Sequence, residues 1–585
     1  MKYVLVSGGV ISGIGKGVIA SSTGLLLKTL GARVTSIKID PYMNVDAGTM
    51  APTEHGEVFV LNDGGEADLD LGNYERYLGV TLGRDNNITT GKVYKHVIEK
   101  ERRGDYLGRT VQIVPHLTDA IQDWIERVAR TPADDTNEQP DVCVIELGGT
   151  LGDIESAPFV EALRQLRRRA GKDNFLQIHV SLVPVIGNEL KTKPTQQAIR
   201  DARSAGLSPD LIACRCEKPL DRATIEKIAM FCQVESSEHV IGVHNVSSTY
   251  HVPLLLEQQG YLRVLGDILK LQQTVQIPRE LYAKGQSTWK QWKALTTSQE
   301  HTFETVDIAL VGKYVSLHDS YLSVIKSLEH ASMAARRKLN IIWVDASNLE
   351  HACRDTHPQE YHKAWHDVTT AHGILVPGGF GTRGTEGMIL AAEWARTKNV
   401  PYLGICLGMQ IAVIEYARHV CGLEGANSVE LDDKAAHPIV VYMPEIDKVN
   451  LGGTMRLGSR PTLFQDNSEW SKLRALYGIE RTSIDERHRH RYEINPEYID
   501  RLQAAGIHFI GKDDKGERME IVELPDHPWF VGVQFHPEYL SRVLAPSKPF
   551  LGFVSSAAGV FDEVMKLSQA TEADKLTNGV DNIVI

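Results

Sequence analysis

The segment VLVSGGVISGIGKGVIASSTGLLLKTLG, residues 4–31, places a glycine-rich turn between an apolar run and a longer stretch with helical periodicity. This order predicts a strand, a loop and a helix. The N–H groups of such a loop, together with the positive end of the helix, bind phosphate groups, and Lys16 reaches the outer ones. The alternative is a glycine-rich turn with a purely structural role. The strand–loop–helix order around the turn favours the phosphate site.

The loop departs from the pattern G-x-x-x-x-G-K-[ST] that usually binds nucleoside triphosphates. Gly9 lies one residue too far from Gly15 and Lys16, and Gly17 replaces the Ser or Thr that would contact Mg²⁺. Because Mg²⁺ prefers oxygen ligands, carboxylates from other segments must hold it.

Two acidic residues lie at positions suited to binding Mg²⁺. Asp70 lies in DLDLGNYER, and Glu146 ends the apolar run DVCVIE just before a glycine pair. An acid at the carboxyl end of a buried strand lies where α/β sheets bind ligands. Asp70 and Glu146 are therefore predicted metal ligands, whereas Asp68 is equally well explained as a structural or solvated acid. Lys38 and Asp40 end another predicted strand and are weaker candidates.

A second anion site is predicted in LKTKPTQ, residues 190–196. Lys191 and Lys193 immediately precede a helix that Pro194 and Thr195 would open. Two cations beside a helix N-terminus attract an anion. The alternative is a solvated basic stretch.

The chain contains two regions in which strands alternate with helices, and we predict two α/β domains. The first spans residues 1–272. A polar stretch over residues 273–302 is predicted to be a linker, with one short helix around 287–294. A new strand and glycine turn, VDIALVGKY at 306–314, begins the second domain, predicted to span residues 303–561. Residues 562–585 are predicted to be a frayed helix and a mobile tail.

The second region carries a predicted thiol nucleophile, Cys406, in the sequence GICLGMQ. This G-x-C-x-G is similar to the G-x-S-x-G turn that exposes a nucleophile between a strand and a helix, whose N-terminus lowers a thiol pKa and stabilises an oxyanion. VGVQFHPE supplies a base, His536, and an acid that orients it, Glu538. Residues 375–384, LVPGGFGTRG, add a glycine turn after another strand.

The charged run RHRHRYE, residues 487–493, permits two interpretations. One is a solvated loop. The other is a site in which one arginine binds a substrate carboxylate through two hydrogen bonds.

Composition narrows the function classes. Lys and Arg total 63 against 75 Asp and Glu, a net charge of −12, which disfavours nucleic acid and anionic membranes as partners. The sequence shows no apolar run of about 18 residues and no signal peptide, and the seven cysteines are too sparse for a disulfide framework. We expect a cytoplasmic enzyme with free thiols, of which Cys406 is the reactive one.

The motifs PGGFG, GICLGMQ and QFHPE resemble those of class I glutamine amidotransferase domains. GGVISGIGKG, DLDLGNYERY, IELGGTLGDIES and KTKPTQ resemble the amidoligase domain of the CTP synthase family, in which RHRHRYE and GTMRLG also occur. The resemblance is in order and covers about residues 1–560. It implies a parallel sheet of the dethiobiotin-synthetase type in the first domain and a flavodoxin-like sheet in the second.

The resemblance also implies roles for individual residues. Cys406, His536 and Glu538 would form the catalytic triad, and Asp70 and Glu146 would hold Mg²⁺. ATP would be bound by Ser12, Gly13, Ile14, Gly15, Lys16, Gly17, Val18, Asp70, His244, Asn245 and Val246. UTP, and CTP as inhibitor, would be bound by Ser12, Asp153, Ile154, Glu155, Lys191, Thr192, Lys193, Pro194, Thr195, Gln196 and Lys227. Glutamine would be bound by Gly379, Leu407, Gly408, Met409, Gln410, Glu430 and Arg491.

The activity implied is ATP-dependent amination of UTP to CTP with ammonia from glutamine, with GTP as an allosteric activator acting around residues 382–386. Members of the family form homotetramers and filaments, and the same is expected here. Two alternatives stay open at this point: another ATP-dependent amidotransferase, such as a cobyrinate or dethiobiotin-type ligase, and a structural polymer with vestigial sites. KTKPTQ and the domain order favour the pyrimidine substrate. Intact Cys406, His536, Glu538 and Lys16 disfavour vestigial sites.

Overall fold

A computed structural model describes residues 1–9, 11–444 and 455–567. The chain divides into two compact units. The first contains Met1–Ala47 and Asp70–Thr296, and the second contains Gly48–Leu69 and Thr297–Ile585. The units differ from the predicted domains at two places: a segment of the N-terminal half belongs to the second unit, and most of the predicted linker belongs to the first.

The strands alternate with helices along both halves of the chain. The strands of the first half are β1 (Lys2–Gly8), β2 (Val34–Asp40), β3 (Phe59–Val60), β4 (Glu66–Ala67), β5 (Asn87–Thr89), β6 (Val142–Leu147), β7 (Phe175–Leu182), β8 (Val185–Ile186), β9 (Glu189–Leu190), β10 (Leu211–Arg215) and β11 (Val240–Val243). Those of the second half are β12 (Thr305–Gly312), β13 (Lys338–Asp345), β14 (Gly373–Val376), β15 (Tyr402–Ile405), β16 (Ala426–Ser428), β17 (His437–Tyr442), β18 (Arg456–Phe464), β19 (Ser483–His490), β20 (Tyr492–Ile494), β21 (His508–Asp513), β22 (Met519–Glu523) and β23 (Phe530–Val533).

The α-helices of the first half are α1 (Lys16–Thr29), α2 (Pro52–His55), α3 (Asp70–Leu78), α4 (Thr90–Arg103), α5 (Thr118–Ala129), α6 (Ala157–Ala170), α7 (Lys193–Ser204), α8 (Arg222–Cys232), α9 (Val252–Gln258), α10 (Tyr261–Ile268), α11 (Leu271–Thr274) and α12 (Arg279–Glu300). Those of the second half are α13 (Leu322–Ala334), α14 (His351–Thr356), α15 (Pro358–Thr370), α16 (Thr385–Lys398), α17 (Leu407–His419), α18 (Lys472–Tyr477), α19 (Ile499–Ala504) and α20 (Lys548–Ala557). Among the described residues, no helix combines the length and the apolar character needed to cross a membrane.

The first unit is built on a seven-stranded sheet in the order β11-β10-β7-β1-β6-β2-β5. Every neighbouring pair in this sheet is parallel. Strands β1, β2 and β6 are buried along their whole length, as expected for a parallel sheet covered by helices on both faces. The carboxyl ends of β1, β6 and β2 are adjacent, so the residues that follow them share one edge of the sheet.

The second unit contains a nine-stranded sheet in the order β13-β12-β14-β15-β23-β22-β21-β18-β19. The pairs from β13 to β23 are parallel, and the pairs from β23 to β19 are antiparallel. Strands β14, β15 and β23 are neighbours, which brings the glycine turn after β14, Cys406 after β15 and His536 after β23 to the same edge. The fold is therefore α/β in both units, as predicted.

The polar stretch predicted to be a linker with a short helix around 287–294 forms a longer helix, α12. Its buried residues are Gly285, Trp289, Trp292 and Thr296, which lie on one face at spacings of four, three and four. Trp292 packs against Tyr77 and Tyr250, with ring centroids 5.3 and 5.9 Å apart, and its Nε1 donates to the Tyr250 carbonyl at 2.9 Å. This helix is a packed part of the first unit.

The predicted tail begins with helical structure, since residues 561–567 are helical. The prediction of mobility for the rest of the tail, residues 568–585, lies outside the described residues. So do Val10 of the phosphate loop and the first two residues of the GTMRLG motif.

We expect Trp292→Ala to destabilise the first unit by about 3–5 kcal/mol, because it removes a large buried aromatic side chain. Lys290→Ala, on the exposed side of the same helix, serves as the control and should change stability by less than about 0.5 kcal/mol. Calorimetry on the full chain measures both. A Trp292→Ala protein that unfolds at the same temperature as the Lys290→Ala protein would show that α12 does not stabilise this unit.

Candidate functional site

The first unit presents a cluster of buried charges where β1, β6 and β2 end. Lys16 opens α1 directly after the glycine loop, and its Nζ donates to the Gly149 carbonyl at 3.0 Å. Glu146 is the penultimate residue of β6, and Lys38 and Asp40 lie at the end of β2. Strand order therefore assembles residues that are more than one hundred positions apart in the sequence.

The carboxylates of Asp70 and Glu146, the two predicted metal ligands, both pair with the ammonium group of Lys38. The Nζ of Lys38 pairs with Asp70 Oδ2 and donates to Glu146 Oε1 at 3.0 Å. The hydroxyl of Tyr74 donates to the other Glu146 oxygen. Two carboxylates that converge on a positive charge provide the hard oxygen ligands that Mg²⁺ prefers. The residues present therefore fit a bound Mg²⁺.

Gly17 explains why this loop lacks the usual Ser or Thr. A Cβ at Gly17 would lie 2.5 Å from Asp70 Oδ1 and 3.4 Å from Glu146 Oε2. A side chain at position 17 would therefore force the Asp70 carboxylate to move. The hydroxyl is absent where the two acids approach each other, and the assignment of Asp70 and Glu146 as metal ligands stays a prediction.

Burial and neighbouring charges set the protonation of these acids. Burial raises the pKa of Asp40 to about 6 and also raises the pKa of Glu146. Burial acts on Asp70 in the same direction, but the Lys38 ammonium outweighs it and lowers the pKa of that carboxyl. Burial lowers the pKa of Lys16.

Beside the glycine loop lies a pocket with apolar walls and a polar end. It contains six of the predicted ATP-binding residues: Ile14, Gly15, Val18, His244, Asn245 and Val246. Sequence reasoning missed Arg215, which lines the pocket and donates from Nη2 to Asn245 Oδ1 at 2.6 Å. The available signal was its place at the end of β10, on the same edge of the sheet. A partly apolar pocket next to a phosphate loop suits a heterocyclic base.

The remaining predicted nucleotide contacts lie on loops and helix starts. Ser12 and Gly13 are exposed in the glycine loop, and Asp153, Ile154 and Glu155 are exposed before α6. Lys193, Pro194, Thr195 and Gln196 open α7, and Lys191 pairs with Glu189. Lys227 is exposed on α8. Their assembly into one UTP site stays a prediction.

In the second unit, Cys406 occupies a strained turn between β15 and α17. Its φ of 51° and ψ of −101° lie in a region that residues with a side chain rarely adopt. The turn is fixed by a hydrogen bond from the Cys406 N–H to the Val533 carbonyl at 2.7 Å. Helix α17 begins at Leu407, so the N–H groups of its first turn directly follow Cys406 in the chain.

The two glycines of G-x-C-x-G are required by close backbone contacts around this turn. A Cβ at Gly404 would lie 2.5 Å from the Gly408 carbonyl oxygen, and a Cβ at Gly408 would lie 2.0 Å from the Val376 oxygen. The motif therefore packs helix α17 directly onto β14 and β15. This packing holds the thiol at the carboxyl edge of the sheet.

His536 and Glu538 form a buried pair beside the thiol. The ring Nδ1 of His536 lies 2.7 Å from Glu538 Oε1, which leaves Nε2 without a hydrogen-bond partner among the described residues. A Cβ at Gly378 would lie 2.9 Å from His536 Cε1 and 3.6 Å from Cys406 Cβ, so ring and thiol face the same small space. Burial lowers the pKa of His536, but the charges of Glu538 and Cys406 outweigh it and raise the pKa to about 10. The His536 ring therefore favours its protonated form beside the Cys406 thiol.

The cavity around Cys406 is lined by residues from several elements of the second unit. It includes the predicted Gly379, His536 and Glu538, and also Phe380 and Arg489. Pro52, Glu57 and Val58 of the Gly48–Leu69 segment also line it. Sequence reasoning missed these three because nothing local in residues 48–69 indicates where the segment packs.

Lys313 and Glu430 fix the glycine turn after β14. Lys313 Nζ donates to the Phe380 carbonyl at 3.4 Å and also to the Gly381 carbonyl, while the Gly381 N–H donates to Glu430 Oε1 at 3.0 Å. Burial lowers the pKa of Lys313 to about 8 and raises that of Glu430. Glu430 was predicted from the resemblance. Lys313 was not, although its place after the glycine that ends β12 was an available signal.

The run RHRHRYE is neither a loop nor solvated, because residues 487–490 belong to strand β19 and are largely buried. Arg487 is fully buried and donates to Asn62 Oδ1 at 2.6 Å and to the Val60 carbonyl at 3.0 Å. Arg491, the predicted carboxylate-binding residue, lies with its guanidinium 5.9 Å from the centre of the Phe380 ring. The interpretation as a solvated loop was therefore wrong.

The other predicted glutamine contacts lie in the first turn of α17. These are Leu407, Gly408, Met409 and Gln410, all buried. Gln410 Nε2 donates to Gln534 Oε1 at 3.2 Å, and Gln534 Nε2 donates to the Cys406 Sγ at 3.6 Å. The structure thus places these residues around the thiol, and their contacts with glutamine stay a prediction.

Comparison with known proteins covers both units. Residues 2–271 match the family model described as CTP synthase N-terminus, and residues 316–556 match glutamine amidotransferase class-I. The CTP synthase of Schizosaccharomyces pombe is 66% identical over 98% of this chain and 95% of its own length. That of Neurospora crassa is 64% identical over 99% of this chain and 100% of its own length. A solved structure, the glutaminase domain of Trypanosoma brucei CTPS with bound acivicin, is 38% identical over 44% of this chain and 94% of that chain, with a TM-score of 0.40.

We expect Glu538→Gln to slow alkylation of Cys406 by iodoacetamide by about tenfold or more. Loss of the carboxylate charge lowers the pKa of His536, and each pKa unit changes the balance between the ion pair and the neutral pair about tenfold. Mass spectrometry of the Cys406 peptide measures the rate, with the partly exposed Cys353 as internal standard. Glu480→Gln, at an exposed position, is the matched control. An unchanged rate at Cys406 in Glu538→Gln would contradict the pairing.

Proposed function

The chain belongs to the CTP synthase family, and from this premise we propose that it aminates UTP to CTP, using ATP and ammonia released from glutamine. The observation that carries the proposal is the match to family relatives along 98% of the chain, which includes both the nucleotide-binding unit and the thiol-bearing unit. Each unit supplies one half of the reaction, and neither half alone makes CTP.

In the second unit, we propose that Cys406 attacks the side-chain amide carbon of glutamine. The Cys406 thiolate forms a bond to this carbon, and His536 gives a proton to the departing nitrogen, so that ammonia leaves and a thioester remains. Water then attacks the thioester, with His536 as the base, and glutamate is released. We assign the stabilisation of the negative oxygen that forms in both steps to the N–H groups at the start of α17 and at Gly379.

Glu538 acts through His536. Its carboxylate accepts the hydrogen bond from Nδ1 at 2.7 Å, which directs Nε2 toward the substrate. The glutamine carboxylate is assigned to Arg491, since guanidinium binds carboxylates through paired hydrogen bonds. Gly379, Leu407, Gly408, Met409, Gln410 and Glu430 complete the proposed glutamine site.

In the first unit, we propose that ATP phosphorylates the 4-oxygen of UTP. This oxygen is a poor leaving group, and phosphorylation makes it one that ammonia can displace as phosphate. Lys16 neutralises charge on the transferred phosphoryl group. Asp70 and Glu146 would hold Mg²⁺, which supplies further neutralisation when bound.

Production of ammonia by the same chain has a physical reason. Free ammonia in neutral water is mostly protonated, and the ammonium ion has no lone pair with which to attack the pyrimidine ring. Glutamine hydrolysis releases the neutral molecule. A glutaminase joined to the synthetase therefore supplies the nucleophile in its reactive form.

We further propose regulation and assembly as in the family. GTP is the proposed activator, acting near residues 382–386, where Arg383 pairs with Asp345 and Glu386 pairs with Arg418. CTP is the proposed product inhibitor, bound at the UTP phosphate contacts and at Asp153, Ile154 and Glu155. Homotetramers, filaments and a cytoplasmic location are part of the same proposal.

We expect Cys406→Ala to abolish CTP formation from glutamine while synthesis from added ammonia continues. The variant removes only the nucleophile that releases ammonia. The assay follows the absorbance change from UTP to CTP in the presence of ATP and Mg²⁺, with either nitrogen source. Loss of both activities in a folded Cys406→Ala protein would contradict the division between the two units.

Lys16→Ala should remove synthesis from both glutamine and added ammonia, because the phosphoryl group loses the positive charge of Lys16.

Asp70→Asn should reduce Mg²⁺-dependent synthesis and leave glutamine hydrolysis partly intact. Glutamate release, measured beside CTP formation, separates the two reactions. If Asp70→Asn left synthesis unchanged at limiting Mg²⁺, Asp70 would not be a metal ligand.

A further inference from the structure

Strand β19 carries two buried histidines on the face opposite its arginines. His488 and His490 alternate with Arg487 and Arg489, and both imidazoles are fully or almost fully buried, at 0% and 2% exposure. Glu520 of β22 meets them and is also 0% exposed. One ligand atom from each of these three side chains lies within 4.8 Å of the other two.

The cluster lies where the sheet curls. In the order β22-β21-β18-β19, two strands separate Glu520 from the histidines, yet His488 Nδ1 lies 3.5 Å from Glu520 Oε2. Curling is also visible at the backbone, where the His536 N–H donates to the Arg487 carbonyl at 2.8 Å. The three side chains therefore meet inside the curled part of the sheet.

The distances between the ligand atoms suit a shared metal ion. His488 Nδ1 lies 3.1 Å from His490 Nε2 and 3.5 Å from Glu520 Oε2. Two ligand atoms bound to Zn²⁺ at about 2.0–2.1 Å and at a tetrahedral angle lie about 3.3–3.4 Å apart. One ion can therefore be reached by all three with small movements.

The orientation of His490 prepares it as a ligand. Its Nδ1 lies 2.9 Å from the Tyr492 carbonyl oxygen and must carry the proton to bond there. Nε2 then carries the lone pair, which faces His488 Nδ1 at 3.1 Å. A second hydrogen bond of this kind, from the other ring nitrogen to a carbonyl, is typical of histidines that bind metals.

One ligand atom lacks a partner in the cluster. Glu520 Oε1 accepts from Arg456 Nη2 at 3.2 Å, but Oε2 has no hydrogen-bond partner among the residues that the structure describes. A buried carboxylate oxygen without a partner is costly. A cation between Oε2 and the two imidazoles would satisfy it.

The surrounding charges permit a divalent ion. The carboxylates of Asp513 and Glu493 act on Glu520 beside the guanidinium groups of Arg456 and Arg518. Arg460 also acts on His488, so three acids and three arginines surround the cluster once Glu520 is included, and burial keeps both imidazoles neutral. The charges around the cluster therefore balance when its acids are ionised.

We propose that His488, His490 and Glu520 bind one divalent transition-metal ion, for which Zn²⁺ is the best match. Two imidazoles and a carboxylate favour Zn²⁺ over Mg²⁺, because Mg²⁺ binds almost only oxygen ligands. The site is separate from Asp70 and Glu146, which belong to the other unit. An ion here links β19 to β22 and so holds the strand whose Arg489 carbonyl lies 3.8 Å from the Cys406 Sγ.

Zinc content tests the proposal without reference to CTP synthesis. The full chain is incubated with Zn²⁺, dialysed against metal-free buffer and analysed by mass spectrometry of the elements. We expect about one Zn²⁺ per chain, and at least a fivefold lower content in His490→Gln and in Glu520→Gln. The unfolding temperature of the wild-type chain should rise with Zn²⁺, since an ion that binds only the folded state stabilises it.

An exposed histidine pair on α15, His362 and His366, supplies the matched control. Residues four apart on a helix are neighbours, so this pair is the rival zinc site. The double variant His362→Ala/His366→Ala should keep its Zn²⁺ if the buried site is correct. Zinc lost only from this variant, or no zinc retained by the wild-type chain, would overturn the proposal.

A measurement on the wild-type chain keeps the test decisive if the buried variants do not fold. X-ray absorption at the zinc edge counts imidazole ligands directly. Two imidazoles and additional oxygen ligands are expected. A sulfur ligand, or a shell of oxygens alone, would place the ion elsewhere and reject the site.

Discussion

The second unit depends on one backbone conformation, the turn at Cys406 with a φ of 51°. A residue with a side chain held there costs about 1–3 kcal/mol, so the surrounding structure must enforce it. It does so by removing side chains from both flanks, at Gly404 and Gly408, and by tying the Cys406 N–H to the Val533 carbonyl on the neighbouring strand. The order of β14, β15 and β23 then decides which groups face the thiol. The ion pair with His536 and the position of the glycine turn follow from that order.

In the first unit, the main constraint is that several carboxylates lie close together away from solvent. Asp40 and Glu146 are buried and Asp70 is partly buried beside them, in surroundings where an isolated carboxylate is very unfavourable. Lys38 pairs with all three, and these pairs offset part of the cost of burying the carboxylates. The total charge of −12 therefore says little about which ligands bind, because local pairs govern the field at the phosphate loop.

Local motifs made much of this arrangement predictable from sequence. Three short motifs predict their sites within a few residues. They are the glycine loop with Lys16, the thiol between two glycines, and the His-Pro-Glu after a buried strand. Lys38, Tyr74 and Arg215 were harder to predict, because their importance arises from strand order and not from their neighbours in the chain. Helix α12 was mistaken for a linker since its composition is polar, although buried tryptophans recur on one face. Alternation along RHRHRYE indicated a strand with two different faces, and the density of its charges concealed this.

The segment Gly48–Leu69 interrupts the first unit in sequence but packs in the second, where Phe59, Val60 and Leu61 are fully buried. A ribosome makes this segment before it has made any strand of the large sheet against which the segment belongs. The nascent chain must therefore keep three apolar residues without their final neighbours during synthesis of more than two hundred further residues. Such transiently exposed surface is a hazard for aggregation and a substrate for chaperones. The second unit, cut from the chain at residue 297 and expressed alone, would lack a part of its own core.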